Sequence, residues 1–79
     1  MSNELLVNLD KIHTTELGIV RIKRNLSLDT DDIVLWCKEK CQAADSITRK
    51  GKNWYVRGGN AMITINAYSY TIITAHVAK

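Results

Sequence analysis

From Ser46 to Val77 the chain alternates apolar and polar residues in period two, and clusters of turn residues cut that run three times. Few folds accommodate such a pattern. The segments "SITRK", "NWYVR", "AMITIN" and "YTIITAHV" read as strands, joined at "GK", "GGN" and "AYS". Gly51, Gly58, Gly59 and Asn60 tolerate the positive φ that tight hairpins require. The sequence contains no proline that would break a ladder. Strands joined by turns this short pair antiparallel with their neighbours, which predicts a four-stranded meander.

The first half of the chain carries helical signals instead. Ser2 or Asn3 would cap a helix through "ELLVNLDKI", with Leu5, Leu6 and Leu9 on one face. "HTT" interrupts it, and Thr14 or Thr15 would cap a second helix, "ELGIVRIKRNL". There Ile19, Ile22 and Leu26 should face the core, and Arg21, Arg24 and Asn25 cluster on another side. In the third, "DDIVLWCKEKC", Asp29 or Thr30 caps, and Asp31 and Asp32 sit in the first turn, where the helix dipole favours negative charge. These acids are accounted for without catalysis. The expected architecture is α+β: three short N-terminal helices packed on one face of a four-stranded antiparallel β-meander, residues 1–79 forming a single domain.

Charge is unevenly spread. The net +3 conceals +5 over residues 46–79, from Arg49, Lys50, Lys52, Arg57 and Lys79 with no Asp or Glu. A segment of one sign and this length steers polyanions. Apolar residues make up 46% of the chain at a mean hydropathy of −0.15, and no run reaches the length of a membrane span. The N-terminus lacks the basic and apolar regions of a signal peptide, so a cytoplasmic protein is expected. Cys37 and Cys41, four apart on a helix, are poorly placed for a disulfide and read as buried thiols. With His13 and His76 they show no zinc spacing, so neither a metal nor a cofactor is expected.

Strand parity sorts the polar residues onto one face. Met62, Thr64 and Asn66 oppose Ala61, Ile63 and Ile65, and in the last strand Tyr70, Ile72, Thr74 and His76 form the more polar set. That set is expected on the face the helices leave open. Such a face can bind RNA: Tyr55 and Tyr70 would stack on bases, Arg24, Arg49 and Lys50 would neutralise phosphates, and Asn66 would add hydrogen bonds. Cleavage without a metal would also need a proton acceptor and donor, for which His13 and His76 have suitable chemistry. A cation from Arg21, Arg24, Lys50 or Lys52 would serve the phosphorane.

Four segments, "KIHTTELGIVRIKRNL", "DTDDIVLWCKEK", "ITRKGKNWYV" and "ITINAYSYTIITAH", resemble a family of short bacterial proteins described as domain of unknown function 3781, over about residues 11–76. That family brings no activity with it. The order of a histidine, an Arg-rich helix, an acid-capped helix, a basic hairpin and a strand reading "TIITAH" is similar to the barnase–EndoU–colicin–RelE superfamily of metal-independent RNases. That resemblance implies a toxin-type active site of His13, Arg21, Lys52, Thr74 and His76.

Three functions follow as expectations: a metal-independent RNase, an RNA-binding module without catalysis, and a protein-binding inhibitor. The last would be a phage- or plasmid-borne antagonist of a host defence nuclease, offering Met62, Tyr68 and Tyr70 as an exposed patch to a protein partner. A homodimer through the last strand is compatible with a core this small, provided that strand lies at an edge.

Overall fold

The computed structural model describes residues 4–30 and 32–77. The expected caps Ser2 and Asn3, and Asp31, lie outside them. The chain folds as α1 (Glu4–Val7), a 3₁₀ turn (Leu9–Lys11), α2 (Glu16–Leu26), α3 (Ile33–Gln42), then β1 (Ser46–Lys50), β2 (Asn53–Gly58), β3 (Ala61–Asn66) and β4 (Ile72–Val77). The strands form one antiparallel sheet in the order β1-β2-β3-β4. This is the expected α+β meander. The main helix–sheet contacts come from α2 against β4 and α3 against β2. None of the helices among the described residues is long and apolar enough to cross a membrane.

The expected first helix is a correction. "ELLVNLDKI" forms only one α-turn and then a 3₁₀ turn. Leu5 and Ile12 are buried and Leu9 packs against the core, while Leu6 and Val7 are exposed, and an α-segment of one turn has too few hydrogen bonds to propagate on its own. In α2, Thr15 is the cap, its hydroxyl accepting from Gly18 N–H at 3.0 Å. Ile22 is buried, with Ile19 and Leu26 packed against the core. Asp32, rather than Asp29 or Thr30, caps α3 by accepting from Leu35 N–H at 3.0 Å, and Thr30 Oγ1 accepts from Asp32 N–H. Ile33, Cys37 and Cys41 are its buried face.

Both hairpin turns are two residues long, Gly51-Lys52 and Gly59-Asn60, with positive φ only at the glycine. That is the type II′ pattern, whose twist matches that of the flanking strands. Gly58 belongs to β2 rather than to the turn: it pairs with Ala61, and a Cβ there would press on the Lys40 carbonyl of α3.

The last strand departs from simple parity. The register shifts between Thr64 and Ile65, so Thr64 pairs with Thr74 but Ile65 pairs with Ile72. This irregularity turns Ile72 into the core and leaves Ile73 exposed. Tyr70 precedes the strand in the left-handed region, at φ 59°. Ile72 and Tyr70 are therefore not on the open face, whereas Thr74 and His76 are, opposite Thr64 and Met62.

β4 is an edge strand, as dimerisation through it requires, but part of that edge is already bonded. His13 O accepts from Ile72 N–H (2.7 Å), Thr14 Oγ1 donates to Ile72 O (3.0 Å), and Asn25 Nδ2 donates to Ala75 O (3.1 Å). Asn25 thus faces the sheet and not a cluster with Arg21 and Arg24. Covering an edge in this way protects it from further pairing.

Candidate functional site

The open face is built from strand register. One row across it runs Ser46, Arg57, Met62, His76; the next runs Thr48, Tyr55, Thr64, Thr74; the third holds Lys50, Asn53 and Asn66. Thr64, at the centre, is nearly covered by its neighbours, while Arg57, Lys50 and His76 are exposed around the rim. No strand contributes a carboxylate. Thr48, Lys50, Gly51, Tyr55 and Met62 line a depression of about 470 Å³. It offers an aromatic ring, a thioether, a hydroxyl and an ammonium group, which suits a flat apolar group carrying an anion.

A second cluster lies at the end of the sheet where the β1–β2 and β3–β4 turns meet. Trp54 is buried on the helix side of β2, and the Tyr70 ring packs on it at 5.2 Å between centroids. Arg49 Cζ is 5.5 Å from the Trp54 centroid and 5.6 Å from that of Tyr68, and Lys11 Nζ is 5.7 Å from that of Tyr70. The cluster runs Lys11, Tyr70, Trp54, Arg49, Tyr68, with the packed Tyr70–Trp54 pair flanked by the two cations. Each contact is within cation–π range.

His13 belongs to this end. Its Nδ1 donates to Lys11 O at 2.9 Å, and its Nε2 is 3.0 Å from Thr71 Oγ1. A carbonyl only accepts, so Nδ1 carries a proton, while Nε2 and the Thr71 hydroxyl share the second contact. Thr71 Oγ1 is in turn 2.9 Å from Ser69 Oγ, which donates to Asn66 Oδ1 at 3.2 Å. Nε2 thus holds the β3–β4 turn against the N-terminal segment, while Nδ1 ties the ring to its own segment at Lys11.

The five residues expected to form an active site are dispersed. His13 and Lys52 lie at the turn end, while Thr74 and His76 lie on the open face. Arg21 is exposed on α2, on the helix side. His13 bridges to Thr71, five residues along the strand from His76, or roughly 15 Å at the rise of a strand. Of the residues expected to contact nucleic acid, Lys50, Tyr55 and Asn66 share the open face. Arg49 and Tyr70 each pack on Trp54 on the helix side, and Arg24 is exposed on α2. The patch of Met62, Tyr68 and Tyr70 is also divided, since Met62 is on the open face and Tyr70 packs on Trp54.

Sequence reading missed the hydroxyl chain through Ser69 and Thr71, and the Arg49–Tyr68 contact. The one available signal was Asn66 at the head of "NAYS", because Asn accepts from the amides that follow it in turns. Both cysteines are buried free thiols. Burial pushes Cys41 up to about 11, and burial together with the Cys41 charge pushes Cys37 up to about 12. Neither is an activated nucleophile. Among the described residues, no three of His, Cys, Asp and Glu converge.

A family model described as protein of unknown function (DUF3781) matches residues 6–76, nearly the whole chain, and the chain belongs to that family. No curated protein and no solved structure matches it. The similarity to barnase–EndoU–colicin–RelE RNases is carried by none of these findings.

Proposed function

We propose that this DUF3781 chain binds single-stranded RNA across the open face of its sheet, as a binding module rather than a nuclease. The observation that carries this reading is the central position of Tyr55, beside a depression lined by Lys50 and Met62, on a face whose strands carry no acid and which none of the described helices covers. Bases stack on such a ring whatever their identity, and Lys50 and Arg57 are spaced around it to meet phosphates. The separation of His13 from His76, and the engagement of both His13 nitrogens, favours binding over acid–base cleavage.

Fluorescence anisotropy with a labelled RNA, in EDTA and at several salt concentrations, tests it, with RNA integrity read on a denaturing gel. Binding should weaken steeply with salt, and Tyr55→Ala should cost about 1–3 kcal/mol. Lys50→Ala should weaken binding and flatten the salt dependence by about one counterion. His76→Ala should retain most of the affinity. RNA cut by the wild type but intact with His76→Ala would replace this reading with the nuclease one. No saturable binding at low salt would sink both.

A further inference from the structure

Arg49 points away from the open face, toward Trp54, and has a feature a merely solvated arginine lacks. Its Nε donates to Gly51 O at 3.0 Å, and its guanidinium lies within cation–π range of two rings, Trp54 and Tyr68. One hydrogen bond and two rings fix the plane and direction of the group. Among the described residues no carboxylate pairs with it, and its two terminal amino groups are left to solvent. A planar, oriented fork with free donors matches the oxygens of a phosphate bidentately.

The ring beside it is equally well fixed. Tyr68 is 74% exposed, so one face is open to a ligand, yet the backbone beneath it is tied down. Asn66 Oδ1 accepts from the N–H groups of Tyr68 (2.9 Å) and Ser69 (3.0 Å), and Ala67 N–H donates to Lys52 O at 2.7 Å. The Gly51-Lys52 turn therefore anchors both the guanidinium and the turn that carries the ring. A flat group stacking on Tyr68 would place an attached anion beside the Arg49 fork, with Lys52 close by in the same turn.

We propose that Arg49 and Tyr68 form a nucleotide site on the helix side of β1, with the phosphate on the Arg49 fork and the base stacked on Tyr68. The inference rests on the nucleic-acid reading for its ligand class but not for its location, since Tyr55 lies on the opposite face. Its ligand is a nucleotide, either free or as one residue of an RNA strand that passes around the exposed edge of β1.

The test follows the Arg49 Nε–H and Trp54 indole N–H signals in a ¹⁵N-labelled sample during titration with AMP, adenosine, inorganic phosphate, acetate and a tetra-adenylate. AMP should shift both signals saturably and bind about tenfold tighter than phosphate or adenosine, since stacking adds to the ion pair. Tyr68→Ala should reduce AMP to the level of phosphate. Arg49→Lys keeps the charge but loses the fork, and should weaken AMP about tenfold at the indole signal, with the amide spectrum of β2 and β3 unchanged. A tetra-adenylate tighter than AMP supports the site and identifies its ligand as a strand; one no tighter supports the site and identifies a free nucleotide. Unmoved signals, equal binding of acetate, or AMP affinity unchanged in Arg49→Lys would overturn the proposal. Tyr55→Ala should leave the AMP-induced shift of the Arg49 Nε–H signal unaltered, so failure of RNA binding on the open face and failure here are read separately.

Discussion

Gly18 stands in the first turn of α2, where glycine is the least favourable ordinary choice by about 1 kcal/mol relative to alanine. Its surroundings explain it. A Cβ at Gly18 would collide with Thr14 Oγ1 and crowd Thr15 Oγ1 at 3.3 Å. The first hydroxyl donates to Ile72 O, and the second caps the helix. Gly18→Ala should therefore destabilise the protein by about 1–2 kcal/mol despite its better propensity, because Thr14 must release a part-buried carbonyl. Urea unfolding checks this. Thr14→Ala removes the obstacle, so in that background Gly18→Ala should become neutral or stabilising, a coupling that a double-mutant cycle reads directly.

Among the elements, the turn from Asn66 to Thr71 closes with two local backbone bonds, Tyr70 N–H to Asn66 O and Asn66 N–H to Thr71 O, and side-chain and long-range hydrogen bonds supply the rest. Asn66 Oδ1 alone accepts from Tyr68 N–H, Ser69 N–H and Ser69 Oγ. Asn66→Ala should cost about 1–2 kcal/mol and speed hydrogen exchange at Tyr68 and Ser69, leaving the Ile63 amide protected, whereas Asn66→Asp should restore most of the protection. Exchange unchanged at both amides would show that the backbone bonds suffice. The two earlier hairpins were legible because a single glycine at a defined turn position determines each. This turn was not, for two reasons. Tyr70 adopts positive φ without being glycine, and the irregularity at Thr64/Ile65 displaces Ile72 from the face that alternation assigns it. Alternation reports which residues are apolar but not where a strand slips by one, and the apolar character of Ile72 only makes sense after the slip. The same limit governs the site. Parity placed Thr64, Thr74 and His76 together correctly. It could not show that His13 sits at the far end of the sheet, or that Arg49 leans on Tyr68, because those contacts join segments distant in sequence.

For the molecule as a whole, one core joins the sheet to the helices, and Cys37 and Cys41 stand in it side by side on α3. Their burial makes stability depend on alkaline pH. In the unfolded chain both thiols ionise near the ordinary value of 9.0, whereas in the folded protein burial holds Cys41 to about 11 and, with the Cys41 charge, Cys37 to about 12. Below pH 9 both states keep their thiol protons, and this contribution is fully present. Above it the unfolded chain releases protons that the native state retains, so stability falls with pH until the folded thiols ionise too. The slope is at most about 1.4 kcal/mol per pH unit for each thiol, through about pH 11 for one and 12 for the other. The measurement is a difference that isolates the thiols: urea unfolding from pH 7 to 10.5 for the wild type and for Cys37→Ala/Cys41→Ala. The variant should be weaker at neutral pH, because it leaves a cavity, yet lose less stability on going alkaline. Parallel alkaline limbs would mean that the thiols do not carry the effect.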